Sequence, residues 1–174
     1  MACPTAALST EPTLIRFIYY KALTLVPVSA ALIAMGRHAE SLLWPFLYVG
    51  ACLTHAGVMY TIKCPHCPYY KKESKTLECF IWWGAPKLYQ PRAGPEKGFV
   101  GLYATFGMLV LTLFPVYWLW QDKAFLLVYV LGIFGLVLSI AINECSRCLN
   151  FDCGHCGVSE EIRKEYLETF QSHV

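Results

Sequence analysis

Residues 124–142 read AFLLVYVLGIFGLVLSIAI, nineteen positions without a charge, with Lys123 before them and Glu144 just after. A helix rises about 1.5 Å per residue, so roughly 20 apolar residues cross a hydrocarbon layer about 30 Å thick. That stretch is therefore read as a membrane span, and three more of the same kind lie upstream, at Phe17 to Met35, Leu42 to Thr61 and Phe99 to Trp120. Composition demands such a reading: 56% of the 174 residues are hydrophobic and mean hydropathy is +0.44, more than a soluble domain of this size can bury. The first span has basic residues nearby, Arg16 and Lys21. It runs too long for a cleavable leader and lacks a small-residue cleavage pattern, so it is expected to be retained.

The expected fold is thus an all-α membrane protein with four transmembrane helices in two hairpins. Residues 1–62 form the first hairpin and 99–143 the second; 63–98 form a cysteine-containing loop, and 144–174 a cysteine-rich tail. Four spans put both termini and the long loop on one side. Of the fourteen Lys and Arg residues, twelve fall on that side, and Arg37 and Lys123 on the other. The positive-inside rule then predicts a multi-pass protein with both termini and the loop in the cytoplasm. A net charge of +2 argues against a nucleic-acid partner and leaves the lipid bilayer as the main one, with the basic loop facing anionic headgroups. Trp44, Trp118 and Trp120 mark one boundary, and Tyr69, Tyr70, Trp82 and Trp83 the other, where amphipathic rings are favoured.

The hairpins carry a faint duplication. LTLVPV at 23–28 answers LTLFPV at 111–116, and the pair Cys64 and Cys67 leaves the second span as Cys145 and Cys148 leave the fourth. Parallel repeats about an axis along the membrane normal would bring those two pairs to one surface. Pro27 and Pro115 are expected to kink their helices, and Gly98, Gly101, Ala104 and Gly107 to let the third span approach a neighbour closely. The loop holds five prolines and the basic cluster KKESK at 71–75, with no helical period, so it should need something other than a core to order it. Its stretch Leu77 to Trp83 is apolar enough to lie in the interface. After the last cysteines, SEEIRKEYLETF (159–170) reads as an amphipathic helix capped by Ser159, with Ile162, Tyr166, Leu167 and Phe170 on one stripe.

Nine cysteines are many for this length, and all but Cys52 fall on the side assigned to the cytoplasm. That compartment keeps thiols reduced, which favours metal binding or redox chemistry over static disulfides. Cys64-Pro-His-Cys67-Pro and Cys153-Gly-His-Cys156-Gly resemble the metal-binding knuckle of rubredoxins and zinc ribbons, five residues at a time. The first departs at Pro68, which has no N–H to turn back toward sulfur. Cys145-Ser-Arg-Cys148 is a plainer third pair, and Cys79 stands alone. Two CxxC pairs suit a tetrahedral four-sulfur site for zinc or iron, the latter including an iron–sulfur cluster. The candidate ligands are Cys64, Cys67, Cys79, Cys145, Cys148, Cys153 and Cys156. Cys64 and Cys67 could join either later pair, and His66 or His155 could complete a second site with Cys79.

His55 is the only histidine inside a span, with Cys52 about one turn before it. Bonding to Thr54 or to a neighbouring helix would account for it. A bis-histidine haem lacks its second ligand, since no other span offers a histidine. The sequence has no phosphate loop, nucleophile elbow or HExxH motif, so no catalytic activity of its own is expected. The reading is a small accessory subunit of a larger membrane redox complex, with a structural or electron-transferring thiolate site and other membrane subunits as partners. Two alternatives stand beside it. Thiol–disulfide oxidoreductases of the quinone-linked disulfide-bond and vitamin K epoxide reductase type are similar in span number, but keep their reactive CxxC toward the oxidising side. Small mercury transporters are similar in size, but expect a cysteine pair inside a span.

Overall fold

The computed structural model describes Leu8 and residues 13–92, 98–151 and 156–171. Its long elements are α1 (Leu14–His38), α2 (Leu43–Ile62), α4 (Gly98–Leu113) with its continuation α5 (Val116–Leu119), and α6 (Lys123–Asn143). Four helical stretches are long and apolar enough to cross a membrane. Thr13 starts α1 by accepting the Arg16 N–H, and Asp122 starts α6 by accepting that of Phe125. Large apolar side chains cover the outside, Ile15, Phe46, Phe99 and Tyr117 each more than two-thirds exposed. Such a surface suits acyl chains as its solvent and would be untenable in water.

The two prolines behave differently. At Pro115 the third span breaks, and the chain resumes as α5 one residue later. At Pro27 the helix runs on unbroken. The Pro27 ring is fully buried, and it lies so close to Gly132 of α6 that a Cβ there would stand 3.0 Å from its Cδ. A small residue opposite a rigid ring thus sets the α1–α6 approach.

Contacts do not follow sequence neighbours. α1 packs chiefly on α6, with α5 next, while its contact with α2 is slight, and α2 leans on α4. The core lies toward the end that holds the two short turns, where Ala30, Ala31, Ala34 and Met35 meet Tyr48, Trp118, Leu119 and Tyr129. Arg37 and Asp122 form an ion pair of 3.3 Å there. At the opposite end Arg16 stands 4.0 Å from the buried Glu144, and Tyr19, Tyr20 and Asn143 converge by hydrogen bonds on Ser139.

The long loop differs from expectation: it has a core, and part of it is β rather than α. A short helix α3 (Pro68–Lys71) leads into an antiparallel pair, β1 (Thr76–Glu78) and β2 (Trp83–Pro86). Gly84 supplies the positive φ of +74° that the strand's irregular entry requires. Tyr70 and Leu77 are almost wholly buried. The Tyr70 hydroxyl donates to the Tyr89 carbonyl and accepts the Tyr89 N–H, each at 2.8 Å. The stretch expected in the interface instead packs on the bundle, with Phe80 against Tyr20 and Trp82 against Tyr60 and under the Lys21 ammonium. In the tail, α7 (Glu160–Gln171) begins at Ser159, whose hydroxyl accepts the Ile162 N–H. It rests Tyr166 on Phe151; of the expected stripe, the Phe170 side chain lies outside the described residues.

Candidate functional site

Each of α2 and α6 ends in the same way. Cys64–His66 and Cys145–Arg147 are single 3₁₀ turns, and the cysteine that follows each is extended, Cys67 at φ −75°, ψ 138° and Cys148 at φ −76°, ψ 132°. The two CxxC pairs therefore share one backbone conformation. The first is closed by the Cys67 N–H on the Cys64 carbonyl at 2.9 Å.

Three separate segments converge at this end. Cys64 lies within electrostatic reach of Cys79 and Cys67, and Cys67 of Cys148 and Cys79. Cys79 belongs to the turn between β1 and β2, which its own N–H closes on the Trp82 carbonyl at 2.9 Å. Docking of Phe80 and Trp82 on the bundle carries that turn toward the CxxC pairs, and the charge of Lys21 on α1 acts on its sulfur. Charge interactions thus link Cys67 to Cys64, Cys79 and Cys148, and Cys64 to Cys79.

Backbone amides point at three of these sulfurs. Cys67 accepts from Tyr69 and Tyr70, Cys79 from Trp82 at 3.2 Å and from Ile81, and Cys148 from Asn150 at 3.4 Å. The missing N–H of Pro68 is no obstacle, because the donors come from two and three residues along. Amide donors favour the thiolate, whereas burial and neighbouring sulfurs oppose it. Burial is the larger influence at Cys67, whose thiol is pushed up to about 11, and it also raises Cys79. Neutral thiols at pH 7 are poor nucleophiles. A bound cation would reverse that balance, since coordinating thiols give up their protons.

Of the remaining candidates, Cys145 and Cys156 are among the described residues. Cys145 is held through its carbonyl, which accepts the Gly157 N–H at 3.0 Å and so brings the Cys156 segment beside the second turn. Cys153 and His155 lie outside the described residues, and with them the second knuckle. All seven described cysteines are free thiols. Among the described residues no three His, Cys, Asp or Glu side chains are already arranged to hold a metal ion.

One feature of the spans carried less weight in the sequence than it does in the structure. His55 is 9% exposed, and its ring lies against Gly107 and stacks on Tyr103 at 5.6 Å. Thr54, the partner expected for it, donates to the Gly50 carbonyl instead. Of the glycines expected to allow a close approach, Gly107 does so, while Gly98 faces open space.

Comparison with known proteins yields no match to a family model, a curated protein or a solved structure.

Proposed function

We propose that this chain is an accessory subunit of a larger membrane redox complex and carries a thiolate-bound zinc or iron on the cytoplasmic face, held by Cys64, Cys67, Cys79 and Cys148. The observation that supports it most is that Cys67, on the turn after α2, lies in charge range of Cys79 and Cys148 from two other segments, with backbone amides aimed at all three sulfurs. Four sulfurs suit zinc or iron in tetrahedral coordination. Each cysteine side chain turns on a single torsion, so the sulfurs close on an ion by rotation between staggered wells. Zinc there would contribute folding free energy, and iron, alone or in a cluster, would carry electrons.

The orientation rests on charge. Arg16, Lys21 and Lys63 stand at the sulfur end and Arg37 and Lys123 at the other, and the twelve-to-two division of basic residues supports a cytoplasmic sulfur end. Lys21 beside Cys79 and Arg147 between the second pair offset the negative charge of bound thiolates.

Metal analysis of the full chain purified without oxygen tests the proposal. About one zinc or iron per chain is expected, as befits one four-ligand site, with visible colour if the metal is iron. Cys67→Ser and Cys79→Ser should each abolish retention. Folded protein that binds neither metal, or variants that bind it as well as wild type, would refute the site.

A further inference from the structure

The second place that asks for a ligand lies in the membrane interior, between α2 and α4. A cleft of about 370 Å³ opens there, lined by Thr54, His55, Tyr103, Phe106, Gly107 and Val110 among others. Phe106 is 63% and Val110 46% exposed, so its mouth faces the acyl chains. The volume falls within the roughly 300–1,000 Å³ range of small-molecule sites.

His55 makes the cleft more than a packing gap. No described residue hydrogen-bonds to its ring: Thr54 is engaged with Gly50, and Tyr103 offers a stacked face. An unpaired imidazole in hydrocarbon is costly, because no water is present to satisfy it. Gly107 keeps the space in which the ring sits, since a Cβ at that position would lie 2.6 Å from Nδ1 and Cε1. His55 stands seven residues before Ile62, the last of α2, about 10 Å along the axis. That depth excludes a phospholipid headgroup, and an acyl chain has no acceptor to offer.

We propose that this cleft binds the ring of a membrane-dissolved quinone, with a His55 N–H donating to a ring carbonyl oxygen and the prenyl tail left among the lipids. A quinone combines what the site selects: a flat apolar ring for the Tyr103 and Phe106 side, a carbonyl acceptor for His55, and solubility at that depth. The cleft is near enough to the sulfur cluster to matter, because the helical run Leu43–His66 places His55 nine residues before Cys64, about 13 Å along it. The inference concerns binding alone and does not depend on whether the sulfurs hold metal.

The test uses the full chain in lipid nanodiscs, with decylubiquinone and a photoreactive azidoquinone as probes. Saturable binding is expected, with crosslinks confined to residues 51–55 and 103–111 and displaced by decylubiquinone. His55→Leu should weaken binding about tenfold, the scale of a lost buried hydrogen bond, while His55→Gln, which keeps a donor, should stay within about threefold of wild type. Equal affinity of His55→Leu would overturn the inference. So would crosslinks spread over all lipid-facing residues, or displacement by oleate as effective as by decylubiquinone, the mark of a plain acyl groove. Should His55→Leu fail to fold, crosslink position and oleate competition on the wild type decide the matter.

Discussion

The loop core makes a quantitative prediction through Tyr70→Phe. The hydroxyl removed ties α3 to the backbone at Tyr89 in both directions, donating and accepting at 2.8 Å. A typical intramolecular hydrogen bond contributes about 1 kcal/mol net, and stranded buried groups cost more. Tyr89 itself is 40% exposed, so water can reach its backbone, and the lower figure applies to each bond. The total is about 2 kcal/mol, which multiplies the population of the locally opened loop about 30-fold. Hydrogen–deuterium exchange on the chain in nanodiscs should show that acceleration across residues 69–89, with 118–133 unchanged as internal reference. An acceleration below about threefold, or one shared equally by α1 and α6, would refute the idea that this loop is pinned by its own small core.

Two further perturbations address the helix contact and the sulfurs. Gly132→Ala forces a methyl to 3.0 Å from the buried Pro27 ring, a ring that cannot rotate away, and should cost about 1–3 kcal/mol of stability by overpacking, read as a lowered midpoint in detergent unfolding; Gly135→Ala, with open space before it, should be neutral. Metal-stripped protein should lose stability in alkali. Burial raises Cys67 from an ordinary value of 9.0 to about 11, so the folded chain holds that proton more tightly than the unfolded one. The resulting stability is full below about pH 9 and is lost as pH rises toward 11, about 2–3 kcal/mol in all. Cys67→Ala should flatten that dependence, and a steeper loss in the variant would contradict the assignment.

The spans were legible because lipid solvation writes itself into composition: a helix that faces acyl chains must be apolar all round, and α6 is. The tail helix was legible from Ser159 and the stripe behind it. Helix pairing was not, since small-residue contacts such as Gly132 on Pro27 leave no periodic signal when every face is apolar. The loop core escaped for a related reason. Its two anchors, Tyr70 and Leu77, stand among other aromatic and apolar residues that flank a run of lysines, and such residues look the same whether they meet each other or the membrane. His55 was visible as an oddity, but the loss of Thr54 as its partner follows from a competing bond within α2, which no pattern of residue types reveals.

The third cysteine pair shows how far spacing can go in assigning ligands. Cys145 and Cys148 copy Cys64 and Cys67 in sequence and in backbone, so symmetry alone would give all four to one site. The hairpin breaks that symmetry. Its turn delivers Cys79 into charge range of Cys64 and Cys67, while the Gly157 N–H donates to the Cys145 carbonyl. Cys148 has a charge-coupled neighbour in Cys67 and an amide, that of Asn150, directed at its sulfur. Serine substitution should therefore separate two positions that sequence treats alike. Cys148→Ser is expected to lose nearly all bound metal, and Cys145→Ser to retain it at wild-type stoichiometry, both measured on anaerobically purified protein of equal thermal stability. Equal loss in the two variants would mean that the repeat, and not the hairpin, selects the ligands.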